Sequence, residues 1–129
     1  MIVVDASVIL HVLTNAPTAQ DLITALEQAD ELAAPALIDL EVMNGIRKHA
    51  LSGRLNSNLA DTLFLTYCNW AIEKHAISHL SKQIWALRHN LTPYDASYVC
   101  LAANLGVALL TRDTRLASAA NAIVRIELV

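Results

Sequence analysis

Residues 91–113 read LTPYDASYVCLAANLGVALLTRD, and the way they are punctuated decides the fold class. Thr92 offers a capping hydroxyl three residues before Asp95, and Pro93 takes the first helical position, where its missing N–H costs nothing. A helical pattern runs over 94–105, and Gly106 stands where a left-handed residue ends a helix. Val107–Leu110 is then a short apolar run of strand character, and Asp113 precedes another helical pattern over 114–121. Strands separated by helices in this manner argue for βαβ units and a mostly parallel sheet covered on both faces.

The same alternation extends through the rest of the chain. Strands are predicted at Ile2–Val4, Glu31–Ala34, Ala71–Lys74 and Ile123–Leu128, besides Val107–Leu110. Helices are predicted near 6–14, 19–29, 36–52, 58–69 and 77–90, besides the two above. Thr18-x-x-Asp21 and Asn58-x-x-Asp61 each place a capping oxygen three residues before an acid. The expectation is a three-layer α/β/α fold around a central sheet of about five strands, forming a single domain over residues 1–129.

Composition narrows the class further. The chain has 129 residues, of which 55% are hydrophobic and only 16% charged. That is a large core for the available surface, and a homodimer or a tightly bound partner is the usual explanation. No apolar stretch approaches the ~20 residues that span a bilayer, and MIVVDAS carries no basic leader. A cytoplasmic protein without membrane contact is expected. Cys68 and Cys100 form no metal-type spacing and read as free, buried thiols. A net charge of −3 argues against a generic nucleic-acid coat. With the four acids discussed next set aside, the remainder is slightly positive and tolerates a polyanion.

Those acids are Asp5, Glu41, Asp95 and Asp113, each standing where an apolar run gives way to a helical pattern. Chain segments leaving the carboxyl ends of parallel strands gather at one sheet edge. Four carboxylates gathered there repel one another unless a divalent cation, Mg²⁺ or Mn²⁺, sits between them. Asp5 and Asp113 are also competent N-caps, and Asp95 can complete a capping box with Thr92. Glu41 has no such alternative. It shares a helical face with Leu37, Asn44, Gly45 and Lys48, whereas Asp39 points the other way and reads as a helix-start acid. The nearby cations Lys48, Arg112 and Arg115 are candidate contacts to a polyanion. His75 and His79 have zinc-like spacing, but a strand-to-helix boundary falls between them. Glycine-rich phosphate loops and G-x-S-x-G elbows are absent from the sequence. Trp70, Trp85, Tyr94 and Tyr98 read as core or interface.

Val3-Val4-Asp5-Ala6-Ser7, Pro35-Ala36-Leu37 with Glu41-Val42-x-Asn44, Thr92-Pro93-Tyr94-Asp95-Ala96-Ser97-Tyr98 and Leu109-Leu110-Thr111-Arg112-Asp113 resemble the PIN-domain ribonucleases. The chain looks most like the VapC-type toxins of type II toxin–antitoxin pairs, from the first strand to about residue 118. The resemblance implies that the α/β/α domain is PIN-like and that the metal-binding, catalytic acids are Asp5, Glu41, Asp95 and Asp113. Ser7, Asn44 and Thr111 would be supporting polar residues, and Lys48, Arg112 and Arg115 possible RNA contacts. It further implies an Mg²⁺- or Mn²⁺-dependent endoribonuclease that cuts RNA, forms a homodimer and is silenced by a small cognate antitoxin. The alternative is a catalytically inactive PIN-like module that binds RNA or protein. A phosphoacceptor receiver domain fits poorly: the first strand offers one acid, residues 45–60 contain none, and no lysine follows Lys82.

Overall fold

The computed structural model describes residues 1–15 and 18–129. Five strands, β1 (Ile2–Val4), β2 (Leu32–Pro35), β3 (Ile72–His75), β4 (Leu109–Thr111) and β5 (Ile126–Leu128), form one sheet in the order β3-β2-β1-β4-β5. Every pairing is parallel, with Val3 opposite Ala33 on one side and Leu109 on the other. Central strands of a parallel sheet are covered on both faces and need unbroken apolar runs. Val3, Val4, Ala33, Ala34 and Leu109 meet that need, and all five are fully buried.

The helices are α1 (Ala6–Asn15), α2 (Gln20–Gln28), α3 (Ile38–Leu51), α4 (Ser57–Cys68), α5 (Ser81–Ala86), α6 (Pro93–Leu105) and α7 (Thr114–Ala120). From β1 the chain steps outward to β2 and β3, then returns across the sheet to β4 and β5. Crossovers between parallel strands are right-handed, so reversing direction moves the connecting helices to the other face. Accordingly α1, α3 and α4 pack together, while α5 and α6 pack as a second group. The reversal falls between β1 and β4, which makes their carboxyl ends the topological switch point where open α/β sheets form a crevice.

α6 is the central helix of its layer and touches β1, β2 and β4. Residues Ala96–Ala102 are buried without interruption, which explains why LTPYDASYVCLAANL shows no polar stripe over that span. Thr92 caps it by accepting the Asp95 N–H at 3.2 Å, and Gly106 ends it at φ 68°.

Four local expectations are corrected. Asn56, not Asn58, caps α4 by accepting the Leu59 N–H at 2.8 Å, because the helix begins at Ser57 and leaves Asn58 inside its first turn. The N-cap of α2 is Ala19, without a side-chain cap, and the Thr18 hydroxyl donates instead to the Asn15 carbonyl. The segment 77–90 is a 3₁₀ turn at Ser78–Leu80, then α5, then tight turns in which Leu87, Arg88 and Asn90 donate to carbonyls three residues back. These turns reverse the chain and seat Leu91 in the core ahead of α6. Both cysteines are free, but only Cys100 is buried, and Cys68 at the end of α4 is exposed.

Candidate metal centre at the sheet edge

Four separate elements deliver the four acids to one cleft. Asp5 follows β1, Glu41 lies in the first turn of α3 after β2, Asp95 lies in the first turn of α6, and Asp113 follows β4. All four line the cleft, together with Ser7 and Asn44. Its volume of about 570 Å³ falls in the range of ligand-sized clefts, roughly 300–1,000 Å³.

Asp5 is the most constrained of them, at 5% exposure. Its Oδ1 accepts the Ser7 hydroxyl at 2.5 Å and the Val8 N–H at 3.2 Å, and its Oδ2 accepts the Thr111 hydroxyl. Ser7 Oγ in turn accepts the Arg112 N–H at 3.1 Å, and Thr111 Oγ1 accepts the Asp113 N–H at 3.0 Å. The two hydroxyls therefore tie the end of β1 to the end of β4 and hold Asp5 in a fixed orientation. Thr111 is fully buried and lies behind Asp5, outside the cleft lining.

Asp113 caps α7: its Oδ1 accepts the Arg115 and Leu116 N–H groups at 2.8 and 3.1 Å. Capping and site membership are thus compatible for this residue, because one oxygen caps and the other remains available. Glu41 is held differently. Its Oε1 accepts the Tyr98 hydroxyl at 2.6 Å across 57 positions of sequence. Tyr98 is 1% exposed, so the anchor is rigid.

Burial and neighbouring charge act on these groups together. Desolvation raises the Asp5 carboxyl above its ordinary value, against hydrogen bonds from Ser7, Thr111 and Val8 that favour the charged form. Desolvation also raises Glu41; the Tyr98 hydroxyl opposes this, and the charges of Asp95 and Asp5 add to it. Asp95 is raised by desolvation, then by the charge of Asp113, with the Thr92 hydroxyl and Arg115 acting the other way. Carboxylates whose charges raise the pKa of a neighbour across a cleft are arranged for a cation. The donor set is oxygen only, which suits a hard divalent ion. Among the described residues no three Asp, Glu, His or Cys side chains are drawn into a closed coordination shell. A small divalent ion that retains several waters needs only one or two carboxylates directly, so an open cleft of this kind fits it.

The remaining candidates sort by position. Lys48 lines the cleft, whereas Arg112 and Arg115 do not. Arg112 contributes its backbone N–H to Ser7, and Arg115 lies beside a separate shallow depression with Asn90 and Thr114. Asp39 is turned away from the acids and pairs with Lys74 Nζ at 2.7 Å and the Tyr67 hydroxyl at 2.7 Å. His75 Nε2 faces Glu73 at 2.9 Å at the end of β3, and His79 lies in the separate 3₁₀ turn that follows. Sequence reasoning missed Tyr98, His49, Ser52 and Arg54, all of which line the cleft. Tyr98 stands three positions after Asp95 and so shares its helical face; that spacing was the available signal. Ser52 continues the Glu41–Lys48 face, but Arg54 follows the end of α3 and has no periodic signal.

A doubly wound α/β domain with four acids at its switch point is the class this geometry defines. The PIN domain family model matches residues 2–122, and the chain belongs to that family. It is 39% identical over 122 residues to the VapC ribonuclease Mb0985 of Mycobacterium bovis, covering 95% of this chain and 93% of that protein. It is 35% identical over 120 residues to ribonuclease VapC3 of Pyrobaculum aerophilum, covering 90% and 92%. Among solved structures, VapBC2 from Rickettsia felis, bound to a DNA fragment from its promoter, has a chain that matches at TM-score 0.72. That match covers 99% of this chain and 98% of the other at 12% identity, a likeness of fold.

Proposed function

We propose that this protein is a metal-dependent endoribonuclease and the toxin of a type II toxin–antitoxin pair, acting in the cytoplasm. The observation that carries the reading is the convergence of Asp5, Glu41, Asp95 and Asp113 on one cleft at the switch point. Relatives named as ribonucleases, matched over nearly their whole length, support it.

Asp5, Asp95 and Asp113 are the residues that would hold Mg²⁺ or Mn²⁺, directly or through water, with Glu41 completing the set. Such an ion neutralises charge on phosphoryl oxygens and lowers the pKa of water. The protein's own part is positional. Ser7 and Thr111 keep Asp5 from rotating, so its lone pairs present one fixed geometry. Tyr98 holds Glu41 by Oε1, leaving Oε2 to orient the attacking water and accept its proton. Asn44, one turn further along α3, offers an amide to the substrate's oxygens.

Two further parts of the reading concern partners. An apolar groove lined by Leu13, Ile23, Leu26, Leu63 and Trp70 has Glu27 and Asp30 at its edge. A basic amphipathic segment of a small antitoxin suits this surface by shape and by charge. Leu40, Met43 and Leu51 are exposed apolar side chains on α3. Exposed apolar surface of this kind supports a homodimer.

The test is cleavage of single-stranded RNA by purified protein with Mg²⁺ or Mn²⁺, with and without chelator. Asp95→Asn should reduce turnover by at least about a hundredfold, since it removes a charged group acting at the reacting centre. Equal behaviour of wild type and variant would exclude the nuclease reading. Tight RNA or protein binding without metal binding would favour a catalytically silent module.

A further inference from the structure

The cleft is bipolar. Its carboxylates sit at the carboxyl edge of the sheet, and from Glu41 the lining continues along one face of α3 through Asn44, Lys48 and Ser52 to Arg54. Lys48 and Arg54 are exposed, and neither has an ion-pair partner among the described residues. Lys48 lies in the last turn of α3, where a cation also favours the helix dipole. Arg54 has no such local account, because it lies beyond the helix.

What sets Arg54 in place is the way α3 ends. Gly53 adopts φ 80° and donates its N–H to the Ala50 carbonyl at 3.2 Å, while Arg54 N–H reaches back to the His49 carbonyl at 3.0 Å. This is the paired bonding of a Schellman-type stop. Ser52 N–H bonds the Lys48 carbonyl at 3.0 Å. The carbonyls of Lys48, His49 and Ala50 are thereby paired, which offsets part of the negative end of the helix beside these side-chain cations. A Cβ at Gly53 would meet nothing within 4 Å, so the glycine serves backbone conformation and not packing.

We propose that Lys48 and Arg54 form a subsite for the phosphate backbone of the RNA strand on one side of the bond that is cut, with the left-handed turn at Gly53 setting Arg54 against the cleft. The inference rests on the ribonuclease reading above. Lys48 follows Glu41 by two helical turns, about 10 Å along the axis, so the subsite engages a phosphate other than the one attacked. An open cleft with acids at one end and unpaired cations at the other accepts a single strand lengthwise: the scissile phosphate sits at the carboxylates and a flanking phosphate at the basic end. Contacts of this kind position the strand and add affinity without reading its sequence.

The experiment measures equilibrium binding of a fluorescent single-stranded oligoribonucleotide to the Asp95→Asn protein across a salt series. Lys48→Gln, Arg54→Gln, Gly53→Ala and Arg125→Gln are each added to that background; Arg125 immediately precedes β5, pairs with Glu127 within that strand and lies outside the cleft. Lys48→Gln and Arg54→Gln should each weaken binding about three- to tenfold and flatten the logarithmic salt slope by roughly 0.7. Gly53→Ala, which leaves the charge intact, should weaken binding as well. Arg125→Gln should match its parent. If Lys48→Gln and Arg54→Gln bind like Arg125→Gln, the subsite is wrong. The ribonuclease reading is judged separately, by metal-dependent cleavage in the wild type, and survives that result.

Discussion

At the scale of single residues, the contact between Tyr98 and Glu41 separates positioning from packing. Tyr98 is 1% exposed and its ring fills core space, while its hydroxyl fixes a carboxylate at 2.6 Å. Tyr98→Phe keeps the ring and removes only the hydrogen bond. Loss of a buried partner that orients a metal-site carboxylate costs on the order of ten- to a hundredfold in metal affinity or activity. The expected outcome is a drop of that size in kcat for RNA cleavage, or in Mn²⁺ affinity by titration calorimetry, with the melting temperature little changed. Wild-type turnover and metal affinity in the variant would show that Glu41 needs no anchor. Asp113 carries a related lesson: an acid serving as an N-cap through one oxygen keeps its second oxygen for chemistry, so the two readings of such a residue are not exclusive.

At the scale of elements, α6 carries the most consequence, since it is buried over seven consecutive residues and positions both Asp95 and Tyr98. Its stop at Gly106 is a backbone device. With φ at 68° and nothing within 4 Å of a built Cβ, an alanine there meets no clash and pays only for the left-handed conformation, about 1–2 kcal/mol. Gly106→Ala should therefore lower unfolding stability in urea by about that amount while leaving the denaturant slope unchanged. A neutral substitution would mean that α6 ends equally well in another geometry.

At the scale of the whole molecule, the acids link stability to pH and to metal. Asp5, Glu41 and Asp95 have folded-state pKa values raised by burial; the charges of Asp95 and Asp5 add to the rise at Glu41, and those of Asp113 and Asp5 to the rise at Asp95. A raised carboxyl penalises the folded state most where it is ionised, above its folded pKa, and the penalty is relieved as pH falls through that value. Metal-free protein should thus gain thermal stability on mild acidification from neutral pH. Added Mn²⁺ should raise the melting temperature most at neutral pH, and progressively less as protons compete for the same oxygens. Asp39 has the opposite sign. Burial pushes its carboxyl up, but hydrogen bonds from Lys74 and Tyr67 and the Lys74 charge hold it below the ordinary value. Its contribution is lost only as pH falls through that lower value, below the window in which the three acids protonate. Thermal unfolding in chelator and in Mn²⁺ across this range checks the sign. A metal-free melting temperature that falls steadily from neutral pH downward would contradict it.

The sequence by itself determined the alternation of strand and helix, the stop at Gly106 and the cap at Thr92, because each rests on interactions within a few residues. It also marked the four acids, since all stand at or near the start of a helical pattern. The broken segment 77–90 departs from its periodicity because buried Leu80 and Leu91 and the turn back toward α6 override local pattern, and the cap of α4 falls on Asn56 because two asparagines two positions apart offer the same local chemistry. Only the tertiary structure decided that the acids line one cleft, because their meeting depends on the strand order and its reversal between β1 and β4. Contacts across 57 and 106 positions, from Tyr98 to Glu41 and from Thr111 to Asp5, leave no periodic trace in the chain. Arg54 is likewise placed by a single left-handed glycine, a matter of backbone geometry to which hydrophobic patterning is blind.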